Sequence, residues 1–330
     1  MTTDTQLRAT LGRSRLEVTR IAFGTWQLGG DWGSFEEGDA IEAIQHARRL
    51  GINFFDTAQA YGFGASERLL GRALRDELRS NRDELVIATK GGLRMDESAG
   101  LVRDSRPEWL RSGVDSSLEA LGIERVDLYQ IHWPDPNTPF AETAGALGEL
   151  VDAGKIAHFG VSNFDAAQIE ELSQTLAVET AQPPYHLFRR DIEEELLPYC
   201  AENDIGVLIY GPLGHGLLTG AINEKTRFGD DDWRSKADLF QGEKLRRNLD
   251  VVRRLGEVAE RRGCTLSQLA IAWTLANEAV HVAIVGTRNH RHIEEALGAA
   301  DIELSGDELA EIDRIMEDAV AARGPTPESV

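Results

Sequence analysis

Short apolar runs alternate with longer segments of helical periodicity along most of the chain. The runs are rich in Val, Ile and aromatic residues, which is typical of buried strands, and strands that alternate with helices favour a parallel sheet. The pattern predicts eight strands, at Arg20–Thr25, Phe54–Asp56, Leu85–Lys90, Val126–His132, Ile156–Ser162, Val178–Pro183, Gly206–Tyr210 and Val282–Val285.

The segments between the strands carry apolar stripes that predict helices. One stripe consists of Leu110, Val114, Leu118 and Leu121, which share one helical face. Two elements lie outside the eight units: residues about 6–19 predict a hairpin that turns near Gly12, and Ser305–Glu317 predicts a final helix with a Ser cap. The charged, Pro-containing residues about 322–330 predict a loose tail.

No linker rich in Pro, Gly or Ser divides the chain near its middle. We therefore expect one α/β domain over residues 1–330, a (β/α)8 TIM barrel with an N-terminal β-hairpin and an extra C-terminal helix, rather than two doubly wound domains. No G-x-G-x-x-G follows the first strand and no G-x-x-x-x-G-K occurs. Residues about 212–240 predict a loop of unusual length, which we expect to cover a ligand.

The composition is that of a soluble globular protein, with 42% hydrophobic and 28% charged residues among 330. The net charge of −21 argues against nucleic acid and membrane partners. No secretory signal or membrane span is recognisable, which predicts a cytoplasmic protein. Cys200 and Cys264 have no disulfide or metal-site spacing. The sequence leaves the oligomeric state open, with a monomer as the default.

Polar side chains stand where several predicted strands end, at the face on which the loops of a barrel meet. Asp56 ends the second strand, Lys90 the third and His132 the fourth, and Tyr61 follows Asp56 by five residues. An ammonium group after an apolar run needs a carboxylate partner or a chemical task, and Asp56 is the candidate partner. Taken singly, the four residues also fit a structural ion pair, a packed aromatic ring and a core histidine.

Taken together, the four side chains suit the protonation of a carbonyl group. A tyrosine hydroxyl is a weak acid, and a neighbouring ammonium group stabilises its phenolate form. His132, on the strand next to Lys90, could hydrogen-bond a carbonyl oxygen and orient it toward Tyr61. Such a set lacks only a hydride donor.

These residues lie in segments that resemble the aldo-keto reductases, which are NAD(P)H-dependent carbonyl reductases built on a (β/α)8 barrel. The resemblance covers almost the whole chain, and its motifs follow the family order. They are Phe55-Asp56-Thr57-Ala58, Tyr61-Gly62, Ala88-Thr89-Lys90, Asp127–Pro134, Gly154-Lys155-Ile156, Gly160–Phe164, Tyr210–Gly214, Gly216–Gly220 and Ile284–Asn289.

The resemblance implies metal-independent, NADPH-dependent reduction of aldehydes or ketones to alcohols, reversible toward alcohol oxidation, with a small carbonyl compound as the partner. It places the catalytic tetrad on Asp56, Tyr61, Lys90 and His132, with Tyr61 as proton donor, Lys90 and Asp56 tuning it, and His132 orienting the carbonyl. The cofactor-binding residues that it implies are Thr25, Trp26, Ser162, Asn163, Gln182, Tyr210, Gly211, Pro212, Leu213, Gly216, Gly286, Thr287, Arg288 and His292.

The expectation that the cofactor is NADPH rather than NADH depends on Arg288. Its guanidinium lies at the start of a predicted helix, whose terminal amides also favour a 2′-phosphate. The alternative is a solvated arginine at a helix start. Nearby residues depart from the related bacterial pattern: Ala221 replaces the Lys of Leu-Thr-Gly-Lys, Val285 replaces the Pro of Ile-Pro-Gly, and Ala296 replaces a common Asn.

The substrate pocket is expected in the loops after strands one, four and seven. Trp26, Trp133, His215, Phe228 and Trp233 lie in these loops and could wall it. A mainly apolar, aromatic wall favours aldehydes, ketones or small dicarbonyls over highly charged substrates.

Three other functions fit parts of this pattern to different degrees. A lysine at a strand end also suits a Schiff-base aldolase that uses Lys90. The aldo-keto reductase fold also occurs in a binding protein, the auxiliary subunit of potassium channels, so an intact tetrad alone does not establish turnover. A metal-dependent hydrolase is disfavoured, because His290-Arg291-His292 has no carboxylate cluster beside it at a strand end.

Overall fold

The computed structural model describes residues 7–29, 35–229, 232–235 and 237–322. Its strands are β1 (Arg8–Leu11), β2 (Leu16–Thr19), β3 (Ile21–Gly24), β4 (Phe54–Asp56), β5 (Val86–Gly91), β6 (Leu93–Asp96), β7 (Gly100–Arg103), β8 (Val126–Ile131), β9 (Ile156–Ser162), β10 (Thr180–Gln182), β11 (Gly206–Tyr210) and β12 (Val282–Gly286). Its helices are α1 (Glu37–Arg49), α2 (Ala65–Ala73), α3 (Arg75–Ser80), α4 (Pro107–Leu121), α5 (Phe140–Asp152), α6 (Ala166–Ser173), α7 (Leu196–Glu202), α8 (Gly242–Arg262), α9 (Leu266–Leu275), α10 (His290–Leu297) and α11 (Gly306–Met316).

Eight parallel strands close into a barrel in the order β10-β11-β12-β3-β4-β5-β8-β9, with the helices packed around it. This confirms the predicted (β/α)8 barrel. Each predicted barrel strand is present, and its ends match the prediction or differ from it by one residue. The exception is the sixth predicted strand, Val178–Pro183, of which only Thr180–Gln182 pairs with its neighbours.

The apolar core has two parts, because successive side chains of a strand point to opposite faces of the sheet. One part fills the barrel interior and includes Phe54, Val86, Leu128 and Leu208. The other lies between the barrel and the helices, where Leu110, Val114 and Leu121 of the predicted stripe are buried and Leu118 is partly buried. Polar side chains occupy the upper end of the barrel interior, which is the end where the barrel strands finish.

The N-terminal hairpin of β1 and β2 closes the lower end of the barrel. A short 3-10 turn, Gly12–Ser14, joins the two strands and confirms the predicted turn near Gly12. Gly12 has φ +51° and lies against the backbone of Gly206, which leaves no room for a Cβ atom. Leu11 of this hairpin packs into the interior core.

The predicted final helix is present as α11, and Ser305 and Glu308 form a capping box at its start. The predicted tail, residues about 322–330, lies outside the described residues except for Ala322. That residue donates its backbone N–H to the carbonyl oxygen of Phe188, 2.6 Å away, so the ordered chain extends at least this far. Residue 6 of the predicted hairpin also lies outside the described residues.

Two features were not predicted from the sequence. A second hairpin, β6 and β7, follows the third barrel strand, and the short helix α3 follows α2. The predicted 212–240 loop contains three short 3-10 segments, Gly214–Thr219, Trp233–Ser235 and Asp238–Phe240, and residues 230, 231 and 236 lie outside the described part. Among the described residues, no helix is both long and apolar enough to cross a bilayer.

Candidate active site

Asp56, Tyr61, Lys90 and His132 meet at the upper end of the barrel interior. The strands that carry Asp56 and Lys90, β4 and β5, are neighbours, and β8, which leads into His132, pairs with β5 on its other side. Lys90 Nζ lies 2.6 Å from Asp56 Oδ1, and both side chains are almost fully buried. The four side chains therefore lie close together, as the sequence predicts.

Lys90 is held as an ammonium group by several acceptors. Besides Asp56, it donates to the carbonyl oxygen of Thr57 at 3.0 Å and to the hydroxyl of Tyr61 at 3.4 Å. A Schiff-base lysine attacks as a neutral amine with a free lone pair. Here Nζ is engaged with three acceptors, so the arrangement does not favour the aldolase alternative.

Tyr61 lies on the loop between β4 and α2, with its ring packed between other aromatic side chains. Its ring centroid is 5.6 Å from that of His132, with the two planes nearly perpendicular, and 6.5 Å from that of Trp26. Tyr61 and His132 are 6% and 2% exposed, so little water reaches either of them. A carbonyl group that reaches Tyr61 would enter a largely dehydrated site with hydrogen-bonding groups on two sides.

A cavity of about 580 Å³ opens beside Tyr61 and extends toward the loops after β11 and β12. Its size is within the range of small-molecule and cofactor sites. Most of the cofactor residues implied by the resemblance line it, namely Thr25, Trp26, Gln182, Tyr210, Gly211, Pro212, Leu213, Gly216, Gly286, Thr287, Arg288 and His292.

Ser162 and Asn163 do not line this cavity but contact residues that do. Ser162 Oγ donates to the carbonyl oxygen of Gln182 at 2.9 Å, and Tyr210 donates its hydroxyl hydrogen to Asn163 Oδ1 at 2.8 Å. Asn163 has φ +62°, and its Nδ2 donates to the carbonyl oxygen of His132 at 3.0 Å. This network fixes the cavity wall next to the tetrad.

The start of α10 forms the far end of the cavity. Asn289 caps this helix by accepting a hydrogen bond from the N–H of Arg291, while Thr287 and Arg288 face the cavity. The Arg288 guanidinium lies 5.6 Å from the ring centroid of Phe35. A guanidinium beside helix N-terminal amides suits an anionic group.

The aromatic residues expected around the substrate divide into two groups. Trp26 and His215 line the cavity and contact each other, with ring centroids 6.3 Å apart. The other three lie against neighbours: Trp133 under the guanidinium of Arg103, Phe228 under that of Arg234, and Trp233 against His215.

Gln130 and Glu67 are polar residues of the site that sequence reasoning missed. Gln130 is fully buried on β8, and its Nε2 lies 3.5 Å from Asp56 Oδ2. Glu67 on α2 accepts a hydrogen bond from Thr89 Oγ1 at 2.7 Å, and burial raises its pKa above the usual range. The sequence does indicate that Glu67 is buried, because helical spacing places it on the same face as the apolar Leu70.

The cavity fits a nicotinamide dinucleotide in its chemistry. Its inner end is bounded by amide and hydroxyl side chains, and its outer end carries Arg288 and a helix N-terminus. Between them, Gly211 and Gly216 adopt φ of +68° and +98°, a conformation that favours glycine and brings backbone close to a ligand. Within the described ranges, no group of three or more His, Cys, Asp or Glu side chains is placed to hold a metal ion.

Comparison with known proteins identifies the family. Residues 20–317 match the model of the aldo/keto reductase family. The glycerol dehydrogenase AKR11B4 from Gluconobacter oxydans superposes with a TM-score of 0.88 at 35% identity, over 97% of this chain and 98% of that one. These matches extend over the barrel and the cavity alike.

Three curated relatives show the range of the family. Aldo-keto reductase YhdN of Bacillus subtilis is 38% identical over 93% of this chain and 92% of its own. The Schizosaccharomyces pombe aldo-keto reductase yakc [NADP(+)] is 34% identical, with coverage of 93% and 92%. The NADH-specific methylglyoxal reductase of Escherichia coli is also 34% identical, with coverage of 89% and 94%. The chain therefore belongs to the aldo/keto reductase family and is an NAD(P)H-dependent oxidoreductase.

Proposed function

We propose that the protein reduces aldehydes or ketones to alcohols with NADPH, and that the reaction is reversible. The observation that carries the proposal is the contact of one buried ammonium group, Lys90 Nζ, with both Asp56 Oδ1 and the hydroxyl of Tyr61. This contact pairs an acid with the charge that stabilises its conjugate base. It stands beside a cavity whose residues suit a dinucleotide.

A nicotinamide cofactor bound in this cavity would supply the hydride. Tyr61 gives its proton to the carbonyl oxygen, and Lys90 stabilises the phenolate that is left. Asp56 holds Lys90 in place, and His132, whose ring is perpendicular to that of Tyr61, orients the carbonyl oxygen. The carbonyl carbon gains the hydride and its oxygen gains the proton, which balances the reduction to an alcohol.

The preference for NADPH rests on Arg288. It lines the outer end of the cavity next to the start of α10, where a guanidinium and helix amides suit the 2′-phosphate. The relatives include proteins named for each cofactor, NADP(+) in one case and NADH in another. Arg288 is therefore the residue through which this proposal is tested.

The substrate class is a small aldehyde, ketone or dicarbonyl. Trp26 and His215 give the cavity next to Tyr61 an aromatic wall, which favours uncharged compounds. Two relatives are named for three-carbon oxygenated substrates, methylglyoxal and glycerol. These names support a small substrate here.

The test compares NADPH and NADH oxidation with a panel of aldehydes and ketones, in wild type and in Arg288→Leu. The matched control is Arg291→Leu, an exposed arginine three positions further on. Loss of a charge-assisted contact should lower kcat/KM for NADPH about tenfold or more, with little change for NADH. Equal losses with both cofactors would refute the 2′-phosphate assignment, and no carbonyl-dependent oxidation in wild type would refute the reductase function.

A further inference from the structure

Asp56 accepts hydrogen bonds on both of its carboxylate oxygens. Oδ1 is 2.6 Å from Lys90 Nζ, whereas Oδ2 is 2.9 Å from Gln182 Nε2 and 3.5 Å from Gln130 Nε2. Gln182 lies on β10, four strands from β4 in either direction around the closed barrel. Its bond to Asp56 therefore spans the barrel interior, and Gln182 is itself only 2% exposed.

The chemistry of the carboxylate fixes which way the Gln182 amide is turned. An ionised carboxylate only accepts hydrogen bonds, so the NH₂ group must face Asp56. Oε1 is then the atom of the same amide that remains to accept a bond. Because Gln182 also lines the cavity, this acceptor belongs to a side chain that borders both the tetrad and the proposed cofactor site.

We infer that Gln182 is a positioning residue for the acid pair, in addition to the cofactor contact that the family resemblance implies for it. Its Nε2 holds Asp56 against Lys90. The effect on catalysis rests on the proposed function, whereas the contact with Asp56 does not.

The contact matters because Asp56 Oδ2 would otherwise be a buried, charged atom with only the long contact to Gln130. Burying part of a carboxylate without a donor is costly, and the group rotates or takes up a proton instead. Either change weakens its hold on Lys90, which must stay within reach of the Tyr61 hydroxyl. Gln182 thus acts on proton donation through Asp56 and Lys90, without contact to the reacting carbonyl.

Gln182→Glu separates this positioning role from the expected cofactor contact. Glutamate has nearly the same shape and keeps an oxygen that can accept from a carboxamide. It loses the NH₂ group and places a second carboxyl group against Asp56. Two carboxyl groups at this distance share a proton, so one of their pKa values is raised. The matched control is Gln174→Glu, the same substitution at an exposed site.

The first readout needs no turnover. A carboxyl group whose pKa is raised by folding favours the native state at low pH and costs stability as pH rises. In the absence of cofactor, the Tm of Gln182→Glu should match wild type near pH 4 and fall progressively below it as pH increases. Asp56, Tyr61, Lys90 and Tyr210 are present in both proteins, so the difference between the two Tm curves reports the added carboxyl group and the proton that it shares with Asp56. Gln174→Glu should follow wild type throughout.

The second readout is catalytic. The ratio of kcat in Gln182→Glu to that in wild type should be highest at acidic pH, where the new carboxylic acid donates to Asp56, and should fall about tenfold or more by neutral pH. NADPH affinity, followed by tryptophan fluorescence, should stay within about threefold of wild type, because the acceptor oxygen is kept. A purely structural defect would lower kcat by the same factor at every pH.

The outcomes are distinguishable. A Tm curve for Gln182→Glu that runs parallel to wild type would mean that Gln182 does not hold Asp56, and it would overturn the inference. A divergent Tm curve with a pH-independent kcat ratio would overturn the positioning role. A divergent Tm curve in a protein whose wild type reduces no carbonyl compound would retain the Asp56 contact and reject the proposed function instead.

Discussion

Lys90 shows how one side chain can combine a structural cost with a chemical use. An ammonium group that is 1% exposed gives up most of its hydration, and the acceptors Asp56, Thr57 and Tyr61 replace it. Only one of these, Asp56, carries a full negative charge. In the proposed reaction, the same ammonium group stabilises the phenolate that Tyr61 leaves behind.

This view predicts a large stability difference between two Lys–Asp pairs. Lys90→Met leaves Asp56 buried without its counter-charge and should lower the free energy of unfolding by about 3–5 kcal/mol. Lys155→Met breaks an exposed ion pair, in which the side chains of Lys155 and Asp115 are 38% and 56% exposed. This substitution should lower the free energy of unfolding by only about 0–1 kcal/mol. Urea unfolding of the cofactor-free proteins measures both, and equal losses would contradict the assigned burial of charge.

The convergence of the four proposed catalytic side chains could be predicted, because three of them stand at or just after a strand end and Tyr61 follows one of these by five residues. The Asp56–Gln182 bond could not be predicted in the same way. These residues are 126 positions apart, and their contact depends on how the barrel closes, since neighbouring strands alone would not bring β4 and β10 together. Gln130 was missed because it sits inside a strand rather than at its end.

At the scale of elements, those with a local sequence signal could be predicted, whereas those that depend on long-range packing could not. The capping box at α11 is encoded in four consecutive residues, and the helix that it predicts is present. The β6–β7 hairpin has no comparable signal, because its strands are short and its contacts include a residue far along the chain, Trp133. Asp104, just after β7, pairs with Arg94 on β6 and with Arg106, and Arg103 stacks on Trp133 from the loop after β8.

The cap of α11 gives a prediction at this scale. Ser305 Oγ accepts from the N–H of Glu308, and Glu308 Oε2 accepts from the N–H of Ser305. Ser305→Ala should therefore lower the free energy of unfolding by about 0.5–2 kcal/mol. Ser116→Ala, an exposed position inside α4, should be neutral or slightly stabilising because alanine favours helices. Denaturant unfolding of the two variants compares them, and equal effects would show that the cap is not formed.

At the scale of the whole molecule, the barrel brings chemistry from distant parts of the chain to one end. The eightfold alternation of strand and helix was enough to predict this architecture, since it depends on periodicity rather than on any one contact. The unusual length of one loop, residues 212–240, was also predicted, and Pro212, Leu213 and Gly216 of this segment line the cavity. Which aromatic residues of those loops face the cavity could not be predicted, because it depends on packing: Trp26 and His215 do so, whereas Trp133 lies against Arg103.

Proton donation by Tyr61 is the central claim, and Tyr61→Phe tests it most directly. The substitution removes the hydroxyl and keeps the ring that packs against His132 and Trp26. We expect kcat for carbonyl reduction to fall by about 100-fold or more, while NADPH affinity and Tm stay near those of wild type. A variant that binds NADPH and retains most of its wild-type kcat would contradict the account.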